Sequence, residues 1–146
     1  MESFALMNGR TRLPLASAVE LASTRASRRR GLLGREYLDP SAALILAPCA
    51  AVHTAFMRFA IDVVFVDRHG CALKIVRELV PWRIAVSPLA HAVIELAGGS
   101  LQSRDVSIGD RLYLAREGQG QSPDAPIARK STSPLRIRDE PSDRRA

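Results

Sequence analysis

His53-Thr54-Ala55-Phe56-Met57-Arg58-Phe59-Ala60-Ile61-Asp62-Val63-Val64-Phe65-Val66-Asp67 is the stretch whose reading decides the fold. Ile61, Val63 and Phe65 alternate with Val64 and Val66, so both faces of an extended chain would be apolar, as expected of a central strand. The spacing predicts a strand over residues 56–67. Asp67-Arg68-His69-Gly70 then reads as a turn, and residues 71–76 as a return strand closing a hairpin.

Other signals alternate outward from this hairpin. Residues 12–18 read as a first strand. Ser23 or Thr24 can cap a short helix through Arg25, Arg28, Arg29 and Arg30, which Gly31 or Gly34 ends. Residues 42–46 form an apolar run closed by Pro48, and Pro81 and Pro88 bracket a short segment at 82–86. Residues 93–96 read as a strand stopped by Gly98-Gly99, with a helical turn over 101–105 and a last strand at 111–114. Short strands with few helical patterns predict a β-rich α+β domain, built as a strongly bent, mainly antiparallel sheet or a small barrel with one or two short helices.

The chain of 146 residues is the size of one domain. Hydrophobic residues make up 47% and charged residues 25%, which excludes global disorder. The composition changes after Tyr113-Leu114. Residues 117–146 carry four prolines and almost no large apolar side chains, so the expected organisation is one globular domain over 1–116 and a disordered tail over 117–146. The absence of an apolar run of about 18 residues argues against a membrane helix. Asn8, Arg10, Arg12 and Pro14 break up any signal-like stretch. Two cysteines, Cys49 and Cys71, suit a reducing compartment, so a cytoplasmic, monomeric protein is expected.

The net charge of +6 rests on 19 Arg and 2 Lys against 15 acidic residues. Residues 1–116 hold +5 of it, concentrated at Arg25–Arg35. Such a cluster can neutralise phosphates, but it reads more readily as a solvated helix face, and no RNP-like, zinc-finger or KH pattern accompanies it. Sequence-specific nucleic-acid binding is therefore not expected. Neither is a metal: Cys49 and Cys71 lie outside any zinc spacing, and His53 with Met57 is two ligands short of a site. No cofactor is expected. Asp110 after Gly109 reads as a turn-fixing carboxylate, and Trp82 as a lid on the core rather than as an exposed aromatic contact.

The polar residues that stand out interrupt apolar strands. Asp62 sits in the central strand and Glu95 in Val93-Ile94-Glu95-Leu96; a charge there needs a partner or a concavity. Arg58 lies about 13 Å from Asp62 if both are on one strand, so a bend, or Arg35 or Arg83, would be needed to pair it. Together these residues resemble the prokaryotic family known as domain of unknown function 192. The resemblance rests on Arg28 with Gly31-Leu32 and Arg35; on His53-Thr54 with Phe56-Met57, Ile61-Asp62, Phe65 and Asp67; on Glu95-Leu96 with Gly99; and on Gly109-Asp110. It spans about residues 10–115. Ala55 and Ala60 replace an aromatic residue and a proline common in that pattern. The resemblance implies a β-rich domain and no established activity.

The functional expectation is a binding module in which Arg35, His53, Arg58, Asp62 and Glu95 gather in one depression around a small polar or anionic ligand. A rival reading is an enzyme with Asp62 or Glu95 as general base and Arg58 stabilising negative charge. A third is a weak nucleic-acid accessory protein acting through Arg25–Arg35.

Overall fold

In a computed structural model, which describes residues 3–116, the strand predicted as central is an interior strand of the main sheet, paired on both sides. The elements run β1 (Phe4–Asn8), β2 (Pro14–Ala16), β3 (Ala18–Ala22), α1 (Arg25–Arg30), β4 (Ala42–Leu46), β5 (Ala51–His53), β6 (Ile61–Val66), β7 (Ala72–Leu79), β8 (Ile84–Val86), β9 (Ala92–Ala97), a 3-10 turn (Ser100–Gln102) and β10 (Leu112–Arg116). The main sheet has the order β3-β4-β9-β6-β7; β3 and β4 are parallel and every other pair is antiparallel. A second sheet, β10-β1-β2, and a two-stranded ribbon, β5-β8, complete the β structure. The protein is β-rich α+β, and its sheets do not close into a barrel. The tail expected over 117–146 lies outside the described residues.

Every residue of β6 is buried, because the main sheet is covered on both sides. On one side Val64, Val66, Ile45, Ile94 and Leu96 pack with Leu6, Leu15, Leu112 and Leu114 of the β10-β1-β2 sheet. On the other, Ile61, Val63, Phe65, Leu44, Leu46 and Val93 pack with Leu32, Leu38, Val52, Met57 and Ala85, contributed by the ribbon, by the segment between β5 and β6 and by the crossover between β3 and β4. Burying each large apolar side chain contributes roughly 1.5–3 kcal/mol, so the two-faced run is the main stabilising element.

The crossover carries α1. Thr24 caps it by accepting from the Ser27 N–H at 3.0 Å, while Ser27 Oγ accepts from the Thr24 N–H at 3.0 Å, a reciprocal capping box. Gly31 ends it at φ 43°, a conformation that favours glycine.

Three local readings change. The strand starts at Ile61 rather than residue 56, since Phe56 adopts φ 63° and the Met57 N–H donates to the Thr54 carbonyl, a turn that extended pairing cannot accommodate. Arg58 therefore lies in the bend that follows that turn. Residues 4–8, whose weak alternation gave no strand signal, pair with β10 along their whole length. The first predicted strand divides into β2 and β3, which belong to different sheets. Among the described residues, no helix is long and apolar enough to cross a membrane.

Candidate functional site

Asp62 and Glu95 sit on neighbouring strands but in different rungs. Asp62 lies opposite Leu96, and Glu95 opposite Val63. Because side chains alternate along a strand, this one-residue offset sends the two carboxylates to opposite faces of the sheet. The expectation that they share a depression is thus corrected.

Asp62 is fully buried, and its oxygens are committed to the backbone. Oδ1 accepts from the N–H of Glu78 at 2.8 Å and of Gly99 at 3.1 Å; Oδ2 accepts from the N–H of Leu101 at 2.8 Å. These three donors lie at an irregularity in the β6–β7 pairing and at the entry to the 3-10 turn. Glu78 has φ 50° and Gly99 φ 85°. One carboxylate therefore holds two tight backbone features, with no cation required. The glycine pair beside it has its own steric reason: a Cβ on Gly98 would stand 2.9 Å from the Ala60 carbonyl oxygen.

Glu95 is 5% exposed and makes none of these bonds. Its cross-strand neighbours are Leu44 and Val63, both apolar and buried. Oε2 is buried without any hydrogen-bond partner. Burial pushes the carboxyl up to about 7, against the opposing pull of Arg35. Glu95 reaches a depression of about 80 Å³. Leu32, Leu46, Val52 and Met57 supply its apolar wall, Cys49 and His53 also line it, and Arg28, Arg29 and Arg30 at the end of α1 border it. The hollow is small and partly apolar, with one convergent buried polar group and cations at its border.

The remaining predicted residues are distributed as follows. His53 shares the depression with Glu95. Arg35 is outside its lining and pairs with Glu20 at 2.7 Å, although its charge acts on Glu95. Arg58 is exposed, pairs with Glu36 at 3.5 Å, and does not line the depression. The residues that sequence reasoning missed are Met57, Leu32 and Val52, whose apolar character reads as core, and Arg28–Arg30 as a border to Glu95. The crossover, β5 and the segment between β5 and β6 bring these groups together. A second depression, of about 400 Å³, opens near Arg77, Gln102 and Arg104. It is more open, and its polar residues Gln102, Ser103 and Asp105 are solvent-exposed rather than buried and waiting.

Asp110 plays the turn-fixing part. It accepts from the Ser107 N–H and from Asn8 Nδ2, and takes a two-pronged contact from Arg10 at 2.7 and 3.0 Å. The Arg10 guanidinium, helped by Asn8 and the Ser107 amide, holds its carboxyl at about 2. Asn8 also donates to the Asp105 carbonyl, so β1 is tied to the loop before β10.

These features agree with the comparison to known families: the model of domain of unknown function 192, described as an uncharacterized ACR, matches residues 7–114. The chain belongs to that family. Among solved structures, a Sinorhizobium meliloti protein provisionally described as a transcription regulator is 26% identical, with a TM-score of 0.68 over 77% of this chain and 92% of that one. A Novosphingobium aromaticivorans protein of unknown function is 22% identical, with a TM-score of 0.66 over 75% of this chain and 82% of that one; it shows the shared fold. No curated protein matches.

Proposed function

We propose that this family member is a cytoplasmic binding module for a small polar ligand seated at the Glu95 depression. One observation carries the reading: a buried carboxyl oxygen lacks a partner and borders a hollow. An unsatisfied buried acceptor costs on the order of 1–3 kcal/mol, so a fold that retains one benefits from whatever supplies the missing donor. The ligand would present an N–H or O–H group to Glu95, rest its carbon skeleton on Met57, Leu32 and Val52, and turn any negative end toward Arg28–Arg30. Asp62 and Arg58 have no part in this contact.

A second reading, an acid–base enzyme, is favoured by the same group, since a glutamic acid that titrates near 7 suits a general base. His53 would be its neighbour in the hollow.

Thermal unfolding of the full chain against a panel of small amines, amino acids, amides and carboxylates tests the binding reading. A binder at one hundred times its Kd should stabilise the protein by about 3 kcal/mol. Glu95→Gln should abolish that gain while leaving the protein folded. A gain that survives Glu95→Gln would place the ligand elsewhere.

A further inference from the structure

The chain's single tryptophan, expected as a core lid, instead stands in solvent. Trp82 is 60% exposed and Phe56 75%, with ring centroids 4.6 Å apart and planes at 60°. Both residues adopt left-handed backbone, φ 63° for Phe56 and 66° for Trp82, which bulky side chains rarely do. Buried Thr54 imposes this. Its Oγ1 donates to the Val80 carbonyl at 2.7 Å and accepts from the Arg83 N–H at 2.9 Å, while its carbonyl accepts from the N–H groups of Trp82 and Met57. A rigid hub thus holds two aromatic rings outward in a costly conformation, an arrangement that burial does not explain.

The surroundings supply charge. Beside the rings, the outer face of the β5–β8 ribbon exposes His53, Ile84 and Val86, whereas Val52 and Ala85 face inward. Arg58 and Arg83 follow the two rings closely in the chain; Arg58 reaches the exposed Glu36 carboxylate at 3.5 Å, Arg83 donates to the Trp82 carbonyl at 3.2 Å, and Lys74 Nζ donates to the Val86 carbonyl at 3.0 Å. Residues 49–59 and 80–90 contain no Asp or Glu. A purely apolar partner would cover the rings and gain nothing from the exposed cations at Arg58, Lys74 and Arg83. A duplex or polyphosphate would use the cations and leave the rings wet. The rings also line neither of the two depressions described above.

We infer that Phe56 and Trp82 form a stacking platform for single-stranded nucleic acid, with Arg58, Arg83 and Lys74 following its phosphates and no base sequence preferred. Stacking on exposed aromatic rings beside cations is sequence-tolerant, because every base has a π-face. This surface meets the Glu95 depression at His53, but neither ring lines that depression and the proposal does not depend on it.

The test uses the full chain and Trp82 fluorescence, which reports stacking without a label. Titration with oligothymidylate and oligouridylate of about 12 nucleotides, at roughly 50 mM salt, should quench the emission saturably. A duplex of equal length, polyphosphate and polyglutamate should bind more weakly and leave the emission unchanged. Phe56→Ala should weaken single-strand binding about tenfold with the salt dependence unaltered, corresponding to the loss of one stacked base. Arg58→Ala and Arg83→Ala should each reduce the slope of log affinity against log salt by about one. Circular dichroism identical to that of the parent would show that these surface variants fold. The proposal is overturned by equal binding of duplex or polyphosphate, by polyglutamate quenching Trp82 as strongly, by Phe56→Ala without effect, or by no binding at this salt.

Discussion

Two carboxylates one rung apart in the same sheet have opposite fates. Asp62 and Glu95 are both buried, both interrupt apolar strands, and both lie on the adjacent strands β6 and β9. Asp62 meets three backbone N–H groups; Glu95 meets leucine, valine and a hollow. The difference teaches that burial alone does not mark a functional carboxylate. What separates the two is whether the fold has already supplied the donors. A satisfied buried carboxylate is architecture, and an unsatisfied one beside a cavity is available to a ligand.

The largest effect should come from the satisfied member. Asp62→Ala leaves the amides of Glu78, Gly99 and Leu101 without their acceptor and should lower the unfolding free energy by about 4 kcal/mol in urea denaturation. Asp62→Asn keeps one acceptor but turns an NH2 group toward backbone donors, so about 2 kcal/mol should be lost. A neutral Asp62→Ala would dissolve the contrast, because the two carboxylates would then be equally dispensable.

Asp110 offers a smaller, sharper check, as a second carboxylate the fold has satisfied. Its folded-state value is depressed to about 2, so its stabilising contribution is complete above the unfolded value near pH 4 and is lost as pH falls through about 2. Asp110→Asn should flatten the acid limb of the stability profile in that window, and unchanged acid unfolding would count against the Arg10–Asp110 contact.

Much of this architecture is legible in the residues themselves. The two-faced apolar run at 61–66, the Thr24 cap with its glycine stop, and the Asp110 turn follow from periodicity and local chemistry. The start of β6 is not legible, because Phe56-Met57-Arg58-Phe59 has the composition of a strand. Its turn depends on Thr54 bonding to residues 80–83, far away in sequence. Strand register is also hidden. Both strands advertise an intruding carboxylate, but pairing Asp62 with Leu96 rather than with Glu95 decides which face each one occupies. The depression escapes for a similar reason, since its apolar wall reads as core and its arginines arrive on the crossover helix. Exposure of Trp82 is likewise set by a distant hub.

The unfolding free energy of the parent and Glu95→Gln proteins, measured from pH 4 to 8, tests the central claim most directly. Burial raises the Glu95 carboxyl from 4.5 to about 7, so its favourable contribution is complete below about pH 4.5 and is lost as pH rises through about 7. Glu95→Gln removes that titration. It should match the parent near pH 4.5 and exceed it by up to about 3 kcal/mol at pH 8, in the absence of ligand. A variant less stable than the parent across the whole range would contradict this account, for it would make Glu95 a satisfied structural carboxylate like Asp62.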